Sequence, residues 1–117
     1  MTMIDDTVTR TNGPVLRVFE VRTKPNCADK LLESFATTSA EVVSGKPGNN
    51  GYLFGRCVEG DGNVVVFVSV WKDLDAIKSR FGQDWQVSYM PDGYAEMIEE
   101  CSVRHFDLTG GWHVSGL

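Results

Sequence analysis

The run VVVFVSVW, Val64 to Trp71, constrains the fold more than any other stretch. Eight residues dominated by β-branched and aromatic side chains read as a strand. A strand with one wet face alternates polar with apolar, and this one does not. Val64, Val66, Val68 and Val70 share one face, while Val65, Phe67, Ser69 and Trp71 share the other. Both faces avoid water, so such a sheet has to be covered on both sides. Lys72 and Asp73 then end the strand with charge.

The rest of the chain supplies the partners. Val15 to Arg22 (VLRVFEVR) is a second β-rich run after Gly13-Pro14, and it too carries apolar residues on both faces. Lys24-Pro25-Asn26 makes a turn, with Asn26 as the expected helix cap. From Ala28 to Ser44, Leu31, Leu32, Phe35, Val42 and Val43 approximate a helical stripe, stopped by Gly45, Pro47 and Gly48. Gly51 to Glu59 is a strand, joined to the valine strand by the hairpin loop Gly60-Asp61-Gly62-Asn63. Asp73 caps a short helix whose inward face is Leu74, Ile77 and Phe81, and Gly82 breaks it. Asp84 to Tyr89 reads as another helical turn. Pro91 then opens a helix through Glu100 with Tyr94, Met97 and Ile98 inward, and Ser102 to Leu108 is the last strand.

The order strand, helix, strand, strand, helical segment, strand predicts a ferredoxin-like βαββαβ sandwich of class α+β, with helices over one face of a four-stranded antiparallel sheet. The second apolar face is then an association surface, which points to a homodimer packed sheet on sheet and closing a dimeric α/β barrel. The expected division is a polar tail over 1–14, the folded domain over 15–109 and a tail over 110–117.

With 117 residues the chain is long enough for one domain with a core of its own. The net charge of −5 argues against nucleic acid or an anionic membrane as partner. No apolar run approaches the roughly 18 residues of a membrane span, and MTMIDDTVTRTNG has no apolar signal core. Cys27, Cys57 and Cys101 are odd in number and widely spaced, which suits reduced thiols in a cytoplasmic protein. No phosphate loop, metal triad or Ser/His/Asp order is present, so neither metal nor cofactor is expected.

VVVFVSVWKDLDAIKSRFGQDWQVSY resembles the third-strand-and-helix segment of antibiotic biosynthesis monooxygenase (ABM) domains, through Trp71, Asp73, Ala76, Phe81 and Trp85. GYAEMIEECSVRHFDL is similar to that family's closing helix and strand. The resemblance covers Val15 to Leu108 and implies the dimeric α/β-barrel fold. It also implies a cavity between sheet and helices in which Trp71, Phe67, Trp85 and Tyr89 meet an aromatic ligand. The monooxygenase branch often carries an asparagine four residues before the tryptophan, where this chain has Phe67. The haem-degrading branch uses a first-strand asparagine and a later histidine. VLRVFEVR has no asparagine and WQVSYMP no histidine, Tyr89 lying about where one would fall.

For chemistry the candidates are His105 and Arg56. His105 is a possible general base if its strand face lines the cavity, and an interface residue if it faces a partner sheet. Arg56 would meet an anionic substrate group, or else form an ion pair with Glu20 or Asp107. Trp71 and Tyr89 also have plain structural readings as core aromatics, and His113 reads as a solvent-exposed tail residue. The implied function is a cofactor-independent monooxygenase for a small phenol, quinol or polyketide-like compound. The alternatives are a non-catalytic dimeric ligand-binding protein and a haem-degrading enzyme.

Overall fold

Val64–Trp71 is hydrogen-bonded along both of its edges. It forms β3, an inner strand of an antiparallel sheet ordered β2-β3-β1-β4, with β1 at Val15–Thr23, β2 at Asn49–Arg56 and β4 at Ile98–Asp107. The structure is a computed structural model and describes residues 13–108, 110, 111 and 115. β1 is the other inner strand. The two most apolar strands thus lie where no backbone edge is open to another chain.

Between β1 and β2 runs one helical stretch in three parts: α1 (Ala28–Ser34), a π turn (Phe35–Ser39) and α2 (Ala40–Val43). α3 (Leu74–Phe81) follows β3. The Asp73 carboxylate caps α3, accepting from the Ala76 amide at 2.8 Å. Gly82 ends it at a φ of 76°, a conformation that suits glycine. Leu31, Phe35, Val43 and Ile77 from the helices meet Val21, Val65, Phe67 and Trp71 from the sheet in one core cluster. Phe35 is fully buried at its centre, and truncating it to Ala would cost about 3–5 kcal/mol. The architecture is the expected α+β, ferredoxin-like sandwich, and no helix among the described residues is long and apolar enough to cross a membrane.

The strand register resolves the two-faced apolarity. Val65, Phe67, Ser69 and Trp71 face the helices and are buried, together with Val15, Phe19 and Val21 of β1. On the other face, Val68 lies between Val18 and Leu53, and Val70 lies between Leu16 and Gly51. The core cluster takes in none of these residues, and Leu53 and Phe106 are 54% and 41% exposed.

Three expectations are corrected. Asn26 does not cap α1; it sits at a φ of 67° in the turn, and Cys27 holds the cap position without a side-chain bond. The helix expected from Pro91 to Glu100 shrinks to a single 3-10 turn, Ala95–Met97. Ile98 already pairs with Thr23, so strand pairing with β1 claims the residues that a helix would have used. The helical turn expected over Asp84 to Tyr89 is only the end of a 3-10 turn at Gly82–Asp84, followed by irregular chain. The inward placement of Tyr94, Met97 and Ile98 holds, since all three are buried. Most of the two tails, including His113, lies outside the described residues.

Candidate functional site

The antiparallel register lines up one polar row across the helix-covered face. Tyr52 of β2 is opposite Ser69 of β3, Ser69 is opposite Arg17 of β1, and Arg17 is opposite His105 of β4. The next row is Phe54, Phe67, Phe19 and Val103. A cleft of about 40 Å³, well below the usual range for small-molecule sites, opens over these rows. Its floor is Arg17, Phe19, Phe67 and Ser69. Ser39, Val42 and Val43 form the helical wall, and Phe81, Tyr89 and Pro91 form the other.

Arg17 is the feature that defines this cleft. It is 5% exposed, and no ion pair between described residues includes it. Its Nη1 donates to the Trp85 carbonyl at 2.6 Å and to His105 Nε2 at 3.1 Å, and its Nη2 donates to the Val87 carbonyl at 3.3 Å. The Phe81 ring lies over the guanidinium, 3.9 Å from its carbon. Burial lowers its pKa to about 10, which still leaves a full positive charge at neutral pH. A buried cation among aromatic walls attracts negative charge on a ligand oxygen.

His105 is on the helix face, as its alternation with Val103 and Asp107 requires, but it stands behind Arg17 rather than on the cleft. A guanidinium has no acceptor, so His105 Nε2 accepts and the ring proton sits on Nδ1. Burial first, and then the Arg17 charge, push its pKa down to about 4. The ring is neutral at pH 7 with the Nε2 lone pair engaged, which does not suit the general-base role considered for it. Its edge also packs on Trp85, with ring centroids 5.0 Å apart.

The other candidates divide. Phe67 and Tyr89 line the cleft, Tyr89 half exposed at its mouth. Trp71 is fully buried one layer below, donating its indole N–H to Ser69 Oγ at 2.8 Å and meeting Phe81 edge-on. Trp85 contributes its carbonyl to Arg17. Arg56 takes no part: it is exposed on edge strand β2 and pairs with Asp29, while Glu20 has Arg104 at 3.9 Å. The expected pairing of Arg56 with Glu20 or Asp107 is therefore replaced by a helix carboxylate.

Sequence reasoning missed Arg17 and the two serines. The signal for Arg17 was present, since it is the one charge in phase with Val15, Phe19 and Val21 on a buried face. Ser39 had no comparable signal. The π turn places it against Tyr94, whose hydroxyl is 2.6 Å away. Tyr94 gives its single proton to the Ser34 carbonyl at 3.1 Å, so Ser39 is the donor of that pair.

Fold and site together define a ferredoxin-like domain with a small apolar cleft between sheet and helices. Residues 14–84 match the model of the antibiotic biosynthesis monooxygenase family, and the chain belongs to that family. No curated protein matches the sequence. Among solved structures, a protein of Shewanella oneidensis is 16% identical with a TM-score of 0.62, over 80% of this chain and 89% of that one. A heme-degrading protein of Mycobacterium tuberculosis is 19% identical with a TM-score of 0.61, over 87% and 99%. SnoaB, a cofactor-independent oxygenase of Streptomyces nogalater, is 19% identical with a TM-score of 0.60, over 81% and 92%. At such identities the likeness is one of fold.

Proposed function

We propose that the protein is an oxygenase for a small aromatic enol or phenol, working without a bound cofactor and as a homodimer. Membership of the monooxygenase family supports the reaction class. The observation that carries the reading is Arg17, a buried cation that lines an aromatic cleft and has no carboxylate partner among the described residues. In such surroundings a charge about 4 Å away is worth about 4 kcal/mol. That lowers a phenol pKa of about 10 by roughly 3 units. The substrate then ionises near neutral pH with water as the proton acceptor, and no histidine base is needed.

The ionised ring supplies the electrons. A ring carbon bearing one hydrogen gives its electron pair to O₂ and forms a peroxide. Loss of that hydrogen as a proton with cleavage of the O–O bond leaves the new carbonyl, and the hydroxide released takes up the proton lost on ionisation and leaves as water. The protein contributes a dry cleft and a fixed positive charge for the developing oxyanion. Haem fits less well. Among the described residues, His105 has its Nε2 engaged by Arg17, and the only ionisable oxygen lining the cleft is that of the half-exposed Tyr89. The apolar outer sheet face around Val18, Leu53 and Val68 supports pairing with a second copy.

Oxygen uptake with a panel of phenols, quinols and tricyclic enols tests the reading. One O₂ per substrate is expected, with Arg17→Gln lowering turnover by roughly 10²-fold or more. Ligands that bind without oxygen uptake would instead favour a binding protein.

A further inference from the structure

The hydrogen bonds of Arg17 leave part of it unused. A guanidinium has five N–H donors. Both Nη1 protons are taken, by Trp85 O and His105 Nε2, and one Nη2 proton is taken by Val87 O. Among the described residues, Nε–H and the second Nη2–H have no recorded acceptor. These lie on neighbouring nitrogens of one planar group, the arrangement that takes two oxygens of one anion side by side. Ser69, opposite Arg17 in the register, accepts from the Trp71 indole and so keeps its own proton to donate. Phe81 stacked over the guanidinium fixes its plane.

From this we infer that the cleft selects planar aromatic anions whose charge is shared by two neighbouring oxygens, held side by side on the free edge of Arg17 with the Ser69 hydroxyl beside them. Aryl carboxylates belong to this class. So do ionised ring hydroxyls next to a ring carbonyl, which are vinylogous carboxylates. The aromatic body lies between Phe19, Phe67 and Tyr89. A single-oxygen phenol of the same size uses only half the edge. The inference rests on the reading of the cleft as an aromatic site, and adds to it what distinguishes one aromatic compound from another. It needs no turnover.

The test is fluorescence binding of 2-naphthoate against 2-naphthol to the full chain at pH 7. We expect 2-naphthoate to bind at least about tenfold tighter, a difference worth about 1.4 kcal/mol. Arg17→Gln should abolish this preference, lowering 2-naphthoate affinity by at least about tenfold more than it lowers 2-naphthol affinity. Arg17→Lys keeps the charge but not the fork, and should lose most of the preference. On the unaltered protein, 2-naphthoate should shift the Arg17 Nε–H resonance downfield, which keeps the test decisive if a variant fails to fold. Equal binding of both compounds, an unmoved resonance, or a preference that survives Arg17→Gln overturns the inference and leaves the oxygenase reading intact. Failure of both compounds to bind overturns the aromatic cleft itself. Selective binding without oxygen uptake on any panel substrate overturns the oxygenase reading and leaves this one.

Discussion

Lowering the pH through the range where unfolded histidine titrates should weaken the fold, because His105 resists protonation. Its pKa falls from 6.5 to about 4 in the folded protein. Above 6.5 the ring is neutral in both states and contributes no pH dependence. Between 6.5 and 4 the unfolded chain binds a proton that the folded chain does not, so stability falls as pH falls, and it levels off below 4. At about 1.4 kcal/mol per pKa unit the full depression is worth roughly 3 kcal/mol. The ring is only partly buried, and solvent screening reduces this to about 2 kcal/mol. Urea unfolding at about pH 7.5, 5.5 and 4.5, which spans that window, reads the total. An NMR titration of the ring carbon protons, assigned with His105→Asn, isolates the residue. Arg17→Gln removes the second cause and leaves burial, so the pKa should rise yet stay below 6.5. Lys78 of α3, 5.6 Å from the Trp85 ring, and Asp107 on the same strand face remain as background charges. A His105 signal that titrates near 6.5 in the unaltered protein, or that does not move in Arg17→Gln, would refute the coupling of the two side chains.

Three further outcomes are expected. Val68→Asp puts a charge between Val18 and Leu53 on the outer sheet face, and sedimentation should show monomer for this variant and twice the monomer mass for the unaltered protein. Gly48 sits at a φ of +84° with its missing Cβ directed into the Ala76 methyl group. Gly48→Ala should therefore cost roughly 2–4 kcal/mol in chemical denaturation, combining left-handed backbone and overpacking terms. Trp71→Phe deletes the bond to Ser69 Oγ; it should keep the fold, cost about 1 kcal/mol, and alter ligand affinity through the freed Ser69 hydroxyl.

The sheet was legible because β3 is a run of β-branched and aromatic residues, and because side chains of any strand point to alternate faces, assigning Val65, Phe67, Ser69 and Trp71 to one face needed no tertiary information. The same alternation applied to β1 puts Arg17 in phase with Val15, Phe19 and Val21. Leu16 and Val18 make the other face of β1 equally apolar, so the phase of Arg17 alone does not say that its face is the one the helices cover. His105 drew attention for its usual pKa, which holds only in water; burial beside a cation removes the property that made it a candidate. The start of β4 was misread because Tyr94, Met97 and Ile98 fall at helical spacing. That spacing serves a 3-10 turn and the first residue of a strand just as well, and only pairing with Thr23 decides between them. Ser39 was out of reach, since no local pattern in Phe35–Ser39 announces a π turn.

That π turn has a genetic consequence. An α-helix advances about 100° per residue, and a π turn carries an extra residue within its coil. Loss of a single codon from the segment encoding Phe35–Ser39 would let the whole stretch from Ala28 to Val43 wind as one regular helix. The flanking segments α1 and α2 would keep their faces, because the extra residue is held within the turn, but the residues of the turn itself would shift, and Phe35 at the centre of the core and Ser39 on the cleft could not both keep their places. The serine wall and its bond to Tyr94 are thus separated from a wholly different wall by one in-frame deletion. A lineage can cross that step without passing through any series of point substitutions, so chains of this fold that share little else in the first helix can differ in their clefts by a change in length alone.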